Sequence, residues 1–430
     1  MIKRRRLLQL SSLLAAGAVM PKVYAASQYN GRLLITLQAS GGWDVSSFCD
    51  PKVNVPGEPE ITHWSNSGEV QTAGNIRYAP YGNNQAFFDK YYNDTLIING
   101  VDAQTNAHSV GELHNWSGRN ASGYPTLSGL FAASVAPDIP MSYLSFGGFN
   151  ATGGIIRSTR FEGAGRSLLS TVLRPNQAPF ETIEQPFHKK AQMSLIRAAQ
   201  QAHLQDIIAD DTQLPLKRLN ATAYRDSLQR KDDLFAFADI IPEESNFPPN
   251  VNLGTLAGES NLQKQAMFAL LAFKSGTACS ADLVQFGFDS HADHDSHHEP
   301  LMAHITDSLD YLWTYAETLG IADRLTVVVA SDFARTPFYN GFDGKDHWPI
   351  GSVMVMEKNA SWGNRVVGET DESQNAHRIN PSTLLRDDSA GTIIYPKHVH
   401  QALRSYLGIA NAANSQLFPL NTTETFNFFS

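Results

Sequence analysis

The chain has 430 residues, 42% hydrophobic and 17% charged, enough to bury a large core. The formal charge is −9 with no internal basic tract, which excludes an electrostatic nucleic-acid binder. The two cysteines exclude a disulfide scaffold and a four-cysteine zinc site, whereas five of the 14 histidines (His291, His294, His297, His298, His304) crowd one short stretch.

The N-terminus reads as an export signal over residues 1–25. Lys3, Arg4, Arg5 and Arg6 precede an apolar stretch from Leu7 to Met20, and Val-Tyr-Ala at 23–25 offers a cleavage site. The stretch is shorter than the roughly 20 apolar residues of a spanning helix. Arg4-Arg5-Arg6-Leu7-Leu8-Gln9 is similar to the twin-arginine pattern, with Gln in place of Lys at its end. The expected partner is therefore the twin-arginine export machinery, and the expected location is periplasmic or secreted, with no membrane span in the mature protein. Residues 1–25 hold five positives and no acid; −9 less those five leaves −14 for the remainder.

Four short apolar runs then break into polar or glycine-rich segments. Arg32–Leu37 runs into Gly41-Gly42-Trp43-Asp44. Thr95–Asn99 runs into Gly100 and the segment holding His108. Leu283–Phe288 runs into Asp289-Ser290-His291, and Leu325–Ala330 into Ser331-Asp332. Each is apolar on both faces, as a buried parallel strand is. Met141–Phe146 and Ser352–Met356 are weaker strand candidates. Helical spacing marks Leu262–Lys274, Pro300–Leu319 and Val399–Leu407, each followed closely by glycine. Strands alternating with helices predict a doubly wound α/β sheet. The helical, charged stretch at about 180–245 is expected to be an insertion on one domain covering 26–430.

In an open α/β sheet ligands bind beyond the carboxyl ends of the strands. Asp44, His108 with Ser109, Asp289 with His291, and Asp332 all follow strands, and a later loop adds Asp346-His347. Oxygen and imidazole donors without thiolate suit Zn²⁺, Mn²⁺, Mg²⁺ or Ca²⁺, ions that polarise an ester oxygen. Each residue also has a plainer reading. Asp44 could shape its turn, Asp332 and Ser109 could cap, and Arg335 could form a structural ion pair. His294, His297 and His298 read as a solvated, metal-rich loop, although Asp293-x-x-x-His297 also fits a metal pair. Cys49 and Cys279 could pair in an oxidising compartment, a distance the sequence does not fix.

Gly41-Gly42-Trp43-Asp44, Asn106-Ala-His108, Trp116-Ser-Gly118-Arg119, Phe288-Asp289-Ser290-His291, Ser331-Asp332-Phe333-Ala334-Arg335-Thr336-Pro337 and Asp346-His347-Trp348 occur in that order. Together they resemble the exported bacterial family called domain of unknown function 1501, which is similar to the alkaline phosphatase and sulfatase superfamily. The resemblance runs from about Arg32 to Ile409. It implies an alkaline-phosphatase-like mixed sheet between helices. It also implies metal ligands at Asp44, Asp289, His291, Asp332 and His347, and an anion-holding Arg335. The chain departs from the superfamily at Phe333, where Asp-His is usual. The nucleophile stays open between Ser109, Thr105 and His108.

The expected function is an exported metal-dependent hydrolase-like protein. It would act on an anionic phosphate or sulfate ester, or a glycan bearing one, through a Ser/Thr or hydroxide nucleophile. The alternative is a non-catalytic metal- or anion-binding protein of the same fold. An exported redox enzyme has little support, since no GxGxxG or haem-attachment pattern occurs.

Overall fold

The computed structural model describes residues 29–161 and 190–430. The expected export signal and the first residues of the expected insertion lie outside the described residues. Eight strands form one sheet. They are β1 (Leu33–Ala39), β2 (Thr95–Asp102), β3 (Tyr143–Ser145), β4 (Ser158–Arg160), β5 (Ser280–Gln285), β6 (Leu325–Ser331), β7 (Ile350–Glu357) and β8 (Arg365–Val367). Their spatial order is β8-β2-β7-β6-β1-β5-β3-β4. β1 lies parallel to both β6 and β5 at the centre. β7 is antiparallel to its neighbours β6 and β2, so it alone runs against the rest of this sheet.

Alternation along the strands fills both faces, because successive side chains point to opposite sides. Leu33, Ile35, Leu37, Val327 and Val329 pack on one side against α1 (Asn84–Tyr91), α6 (Leu262–Lys274) and α7 (His294–Thr318). Leu34, Ile98, Val328 and Val355 pack on the other against α2 (His108–Ser117), α3 (Leu127–Val135) and α8 (Pro396–Tyr406). This is the expected α/β class, a mixed sheet between helices. Two long helices, α4 (Lys190–Ala209) and α5 (Pro215–Ile240), pack against each other within the span named as an insertion. No helix among the described residues is long and apolar enough to cross a membrane.

Two expectations shift. The strand expected at Leu283–Phe288 begins and ends three residues earlier, at Ser280–Gln285. Ser280 and Asp282 are buried through hydrogen bonds rather than apolarity, and Gly287 at φ +109° turns the chain away. The helix expected from Pro300 starts at His294 instead. The backbone N–H groups of Asp293 and His294 donate to the carbonyls of Phe342 and Asp343, a tertiary contact that supports the extra turns. His294, His297 and His298 are therefore helical, not a solvated loop. His294 and His298, four residues apart on one face, have no exposed surface, while His297 is half-buried. Cys49 and Cys279 are buried free thiols in separate core clusters.

Asp282 sits at the centre of the sheet with no exposed surface. Its carboxyl accepts from Thr36 Oγ1 at 2.6 Å and from the Tyr143 hydroxyl, and no cation pairs with it among the described residues. Burial pushes its pKa up to about 6, opposed by its hydrogen bonds with Ser128, Thr36, Tyr143 and Thr126. A raised carboxyl favours folding below its unfolded pKa, and that contribution is lost as pH rises through about 6. Asp282→Asn, which keeps the shape and removes the charge, is expected to gain up to about 3 kcal/mol at neutral pH. Thermal midpoints across mildly acidic to neutral pH check this: the native slope should flatten in the variant.

Candidate metal centre

The carboxyl ends of β1, β5 and β6 and the start of α2 meet at one edge of the sheet. The β1 loop crosses the β5 loop so closely that a Cβ on Gly41 (φ +117°) would lie 2.6 Å from the Asp289 backbone nitrogen. That crossing requires glycine.

Four side chains converge there. Asp289 Oδ1 lies 3.0 Å from His291 Nε2, 3.2 Å from His347 Nε2 and 3.5 Å from His108 Nε2. The Nε2 atoms of His291 and His347 are 3.0 Å apart. The ligand atoms of His108, Asp289 and His347 all fall within 4.8 Å of one another. Each histidine is held through its other nitrogen. His108 Nδ1 meets Asp332 Oδ2 at 2.5 Å, His291 Nδ1 meets Asp346 Oδ1 at 2.7 Å, and His347 Nδ1 donates to the Asn106 carbonyl at 2.7 Å. Partners that accept at Nδ1 fix the tautomer and turn the Nε2 lone pair inward, the arrangement typical around metal-bound imidazole. Three lone pairs and a carboxylate oxygen then face one another, and His108 Nε2 is buried with no hydrogen-bond partner. A cation fits this donor set. The side opposite the sheet is open, since the side chains of Asp289 and His291 are each 48% exposed.

The electrostatics agree with that arrangement. Burial opposes ionisation of Asp289, but the hydrogen bond and charge of Arg335, with His347 and His108, hold its pKa down to about 2. The hydrogen bond that His108 donates to Asp332 raises its pKa against burial, and the bond from His291 lowers Asp346. Asp346 is an exposed support rather than a core residue, with 55% of its side chain exposed. Asp346→Ala is therefore expected to weaken metal binding by roughly 10–100-fold while leaving the fold intact. Metal titration beside a thermal melt checks both halves.

The structure thus brings together Asp289, His291 and His347 from the expected ligand set and adds His108, which the sequence named for catalysis. Asp332 and Asp44 stand behind them. Asp332 Oδ1 accepts from the N–H groups of Gly41 and Gly42, at 3.1 and 2.7 Å, and from the Ser331 hydroxyl at 2.7 Å. Its other oxygen orients His108. Asp44 belongs to a separate, wholly buried network. It accepts from Ser46, Ser47, Lys345 Nζ at 2.8 Å and His294 Nε2 at 3.2 Å, and its N–H donates to His298 Nε2 at 2.8 Å. Burial works against the Asp44 charge, but Lys345 and His294 hold its carboxyl well below the usual range.

Arg335 is also fully buried. It donates to the carbonyls of Gly41, Gly42 and Lys345 and to Asp289 Oδ1 at 2.6 Å, so its guanidinium ties the loops together instead of facing outward. Ser109 is exposed on the first turn of α2, and Thr105 Oγ1 accepts from Ala107 N at 3.1 Å. Phe333 packs 4.7 Å from the rings of both His108 and His347. It fills the room a further ligand would need. Lys345 and the Asn106 carbonyl escaped the sequence reading. A lysine among carboxylates carries no distinctive spacing, and a main-chain carbonyl carries no side-chain signal.

Among solved structures the chain is similar to a putative sulfatase, yidJ, from Bacteroides fragilis. The identity is 9% over 94% of this chain and 78% of that one, with a TM-score of 0.39. It is similar to the PsFucS1 sulfatase from Pseudoalteromonas sp. at 10% identity over 99% and 74% of the two chains, TM-score 0.39. It is also similar to the alkaline phosphatase of the Antarctic bacterium TAB5 at 10% identity over 79% and 95%, TM-score 0.34. No curated protein matches the chain in sequence. The model of the family described as "Protein of unknown function (DUF1501)" matches residues 90–393, more than half of the chain, and the chain belongs to that family.

Proposed function

We propose that the protein is an exported, metal-dependent hydrolase acting on phosphate or sulfate esters. The observation that carries this reading is the convergence of His108, His291 and His347 Nε2 on Asp289 Oδ1, each imidazole fixed from behind and the cluster open to solvent on one side. Closed structural sites use all their positions, whereas catalytic ones leave one for substrate. The imidazole-rich donors favour Zn²⁺ or Mn²⁺ over Mg²⁺ or Ca²⁺, which prefer all-oxygen sets. A divalent ion bound there supplies a Lewis acid for an ester oxygen.

The protein's own residues do the rest. Asp332, Asp346 and the Asn106 carbonyl hold the three rings in place. Arg335 compensates the charge of Asp289 and clamps the Gly41-Gly42 turn against the loop from Lys345. The attacking oxygen comes from Ser109, Thr105 or water at the open side. The twin-arginine pattern supports export to the periplasm.

A non-catalytic metal- or anion-binding role is the second reading, and Phe333 favours it by occupying ligand space beside His108 and His347. Metal analysis of the purified mature protein, paired with turnover of aryl phosphates and aryl sulfates, separates the two. Stoichiometric metal with turnover supports the hydrolase. Stoichiometric metal without turnover leaves the second reading, and absence of metal after loading with several ions removes the hydrolase and the metal-binding role, leaving only anion binding.

A further inference from the structure

Asp346 holds the ring of His291, yet more than half of its own side chain lies in solvent. An exposed carboxylate gains little from one ion pair and loses rotamer freedom in keeping it. A second contact steadies this one. Asn340 Nδ2 donates to Asp346 Oδ1 at 3.2 Å and to the His291 carbonyl at 3.0 Å. The carboxylate oxygen that receives His291 Nδ1 at 2.7 Å therefore receives the Asn340 amide as well.

Asn340 is itself locked. Its Oδ1 accepts from the N–H groups of Phe342 at 2.9 Å and Gly344 at 3.0 Å, and its own N–H donates to the Gly344 carbonyl at 2.8 Å. An asparagine that accepts from the main chain two residues on is an Asx turn. The turn is pressed against the ligand loop, where a Cβ on Gly344 would lie 2.0 Å from the His291 carbonyl oxygen. Main-chain bonds already join the two segments. The N–H groups of Asp293 and His294 donate to Phe342 and Asp343, and that of Lys345 donates to the Ser290 carbonyl. The turn needs only Oδ1, and the backbone around His291 has these other ties. What Nδ2 adds is a fixed donor for a carboxylate that is otherwise free to turn into water.

We propose that Asn340 is a positioning residue of the metal centre, acting through Asp346. This rests on the metal site of the reading above and adds a further layer behind it. The amide fixes the carboxylate, the carboxylate fixes the ring of His291, and the ring presents Nε2 at 3.0 Å from Asp289 Oδ1.

The test is a double-mutant cycle on metal affinity, with Zn²⁺ and Co²⁺ titrated into the metal-free protein. Serine at 340 can still accept from the main chain of the turn but is too short to reach Asp346. Asn340→Ser is expected to weaken binding by roughly 5–10-fold, less than removal of Asp346 itself. In the Asp346→Ala background the same substitution should change affinity by no more than about 2-fold, because the group it acts through is gone. The visible absorption of bound Co²⁺, which reports ligand geometry, should shift the same way in Asn340→Ser and Asp346→Ala. Damage to the loop alone would instead persist without Asp346. An equal loss in both backgrounds, or native affinity and spectrum in Asn340→Ser, overturns the assignment while leaving the metal site standing. If the native protein binds neither ion, the metal site fails and this inference falls with it.

Discussion

Replacing Lys345 by Met is expected to cost about 3–5 kcal/mol of stability, because it leaves a buried carboxylate without its cation. The ammonium and the Asp44 carboxylate are both without exposed surface, 2.8 Å apart, and Lys345 Nζ also donates to Ser46 Oγ at 3.0 Å. Removing the cation leaves Asp44 to His294, whose own protonation is disfavoured chiefly by burial. The Asp44 carboxyl titrates below its ordinary range, so its contribution is present at neutral pH and lost as pH falls through the depressed value. Urea unfolding at neutral pH measures the loss. The double variant Asp44→Asn with Lys345→Met should lose less than Lys345→Met alone, since it leaves no unpaired charge. A single variant within about 1 kcal/mol of the native protein would show that the pair is dispensable.

The second large effect concerns the metal itself. Asp289→Asn is expected to lower metal affinity by more than about 100-fold, since loss of an outer partner alone costs about 10–100-fold. Turnover should fall in parallel. The isosteric amide spares the loop: Arg335 keeps its three carbonyl acceptors, and the substituted side chain is nearly half exposed. The unfolding free energy without metal should therefore fall by about 1–2 kcal/mol, since buried Arg335 loses its charge partner but keeps its hydrogen bonds, less than for Lys345→Met. Asp44→Asn is the discriminating partner. Asp44 has its lone pairs committed to Ser46, Ser47, His294 and Lys345, so its replacement should damage stability far more than metal content. Retained metal in Asp289→Asn together with lost metal in Asp44→Asn would move the centre to Asp44.

Much of this architecture was legible because apolar runs and the polar residues that follow them are local signals. The strands at Leu33–Ala39 and Leu325–Ser331 and the helix at Leu262–Lys274 follow directly from such runs. Placing Asp289 and His291 beyond one strand needed nothing more. What escaped depends on contacts between distant segments. The roles of Asp44 and Asp289 differ only because Lys345 reaches the first and Arg335 the second, and nothing near either aspartate in sequence announces which cation arrives. The early start of α7 escaped for the same reason, since its stabilising carbonyls belong to Phe342 and Asp343. His108 read equally as base, nucleophile or ligand until Asp332 was found behind its ring.

The reversed strand β7 has a consequence for the centre. A chain leaving the end of a parallel strand ordinarily has to travel back to the opposite rim before re-entering the sheet. Because β7 runs the other way, the segment between Ser331 and Ile350 leaves and re-enters at a single rim, a closed arch anchored by sheet hydrogen bonds at both feet. Asp332 and Arg335 stand near one foot, and Lys345, Asp346 and His347 near the other. The pairing of β7 with β2 shifts between Gly351 and Val353, just inside the second foot. A bulge of that kind sets where the preceding residues are aimed. Strand register thus acts as the measuring rod for the candidate metal centre. A slip of one residue in β7 would exchange the side chains packed on its two buried faces and draw His347 away from Asp289 in the same movement.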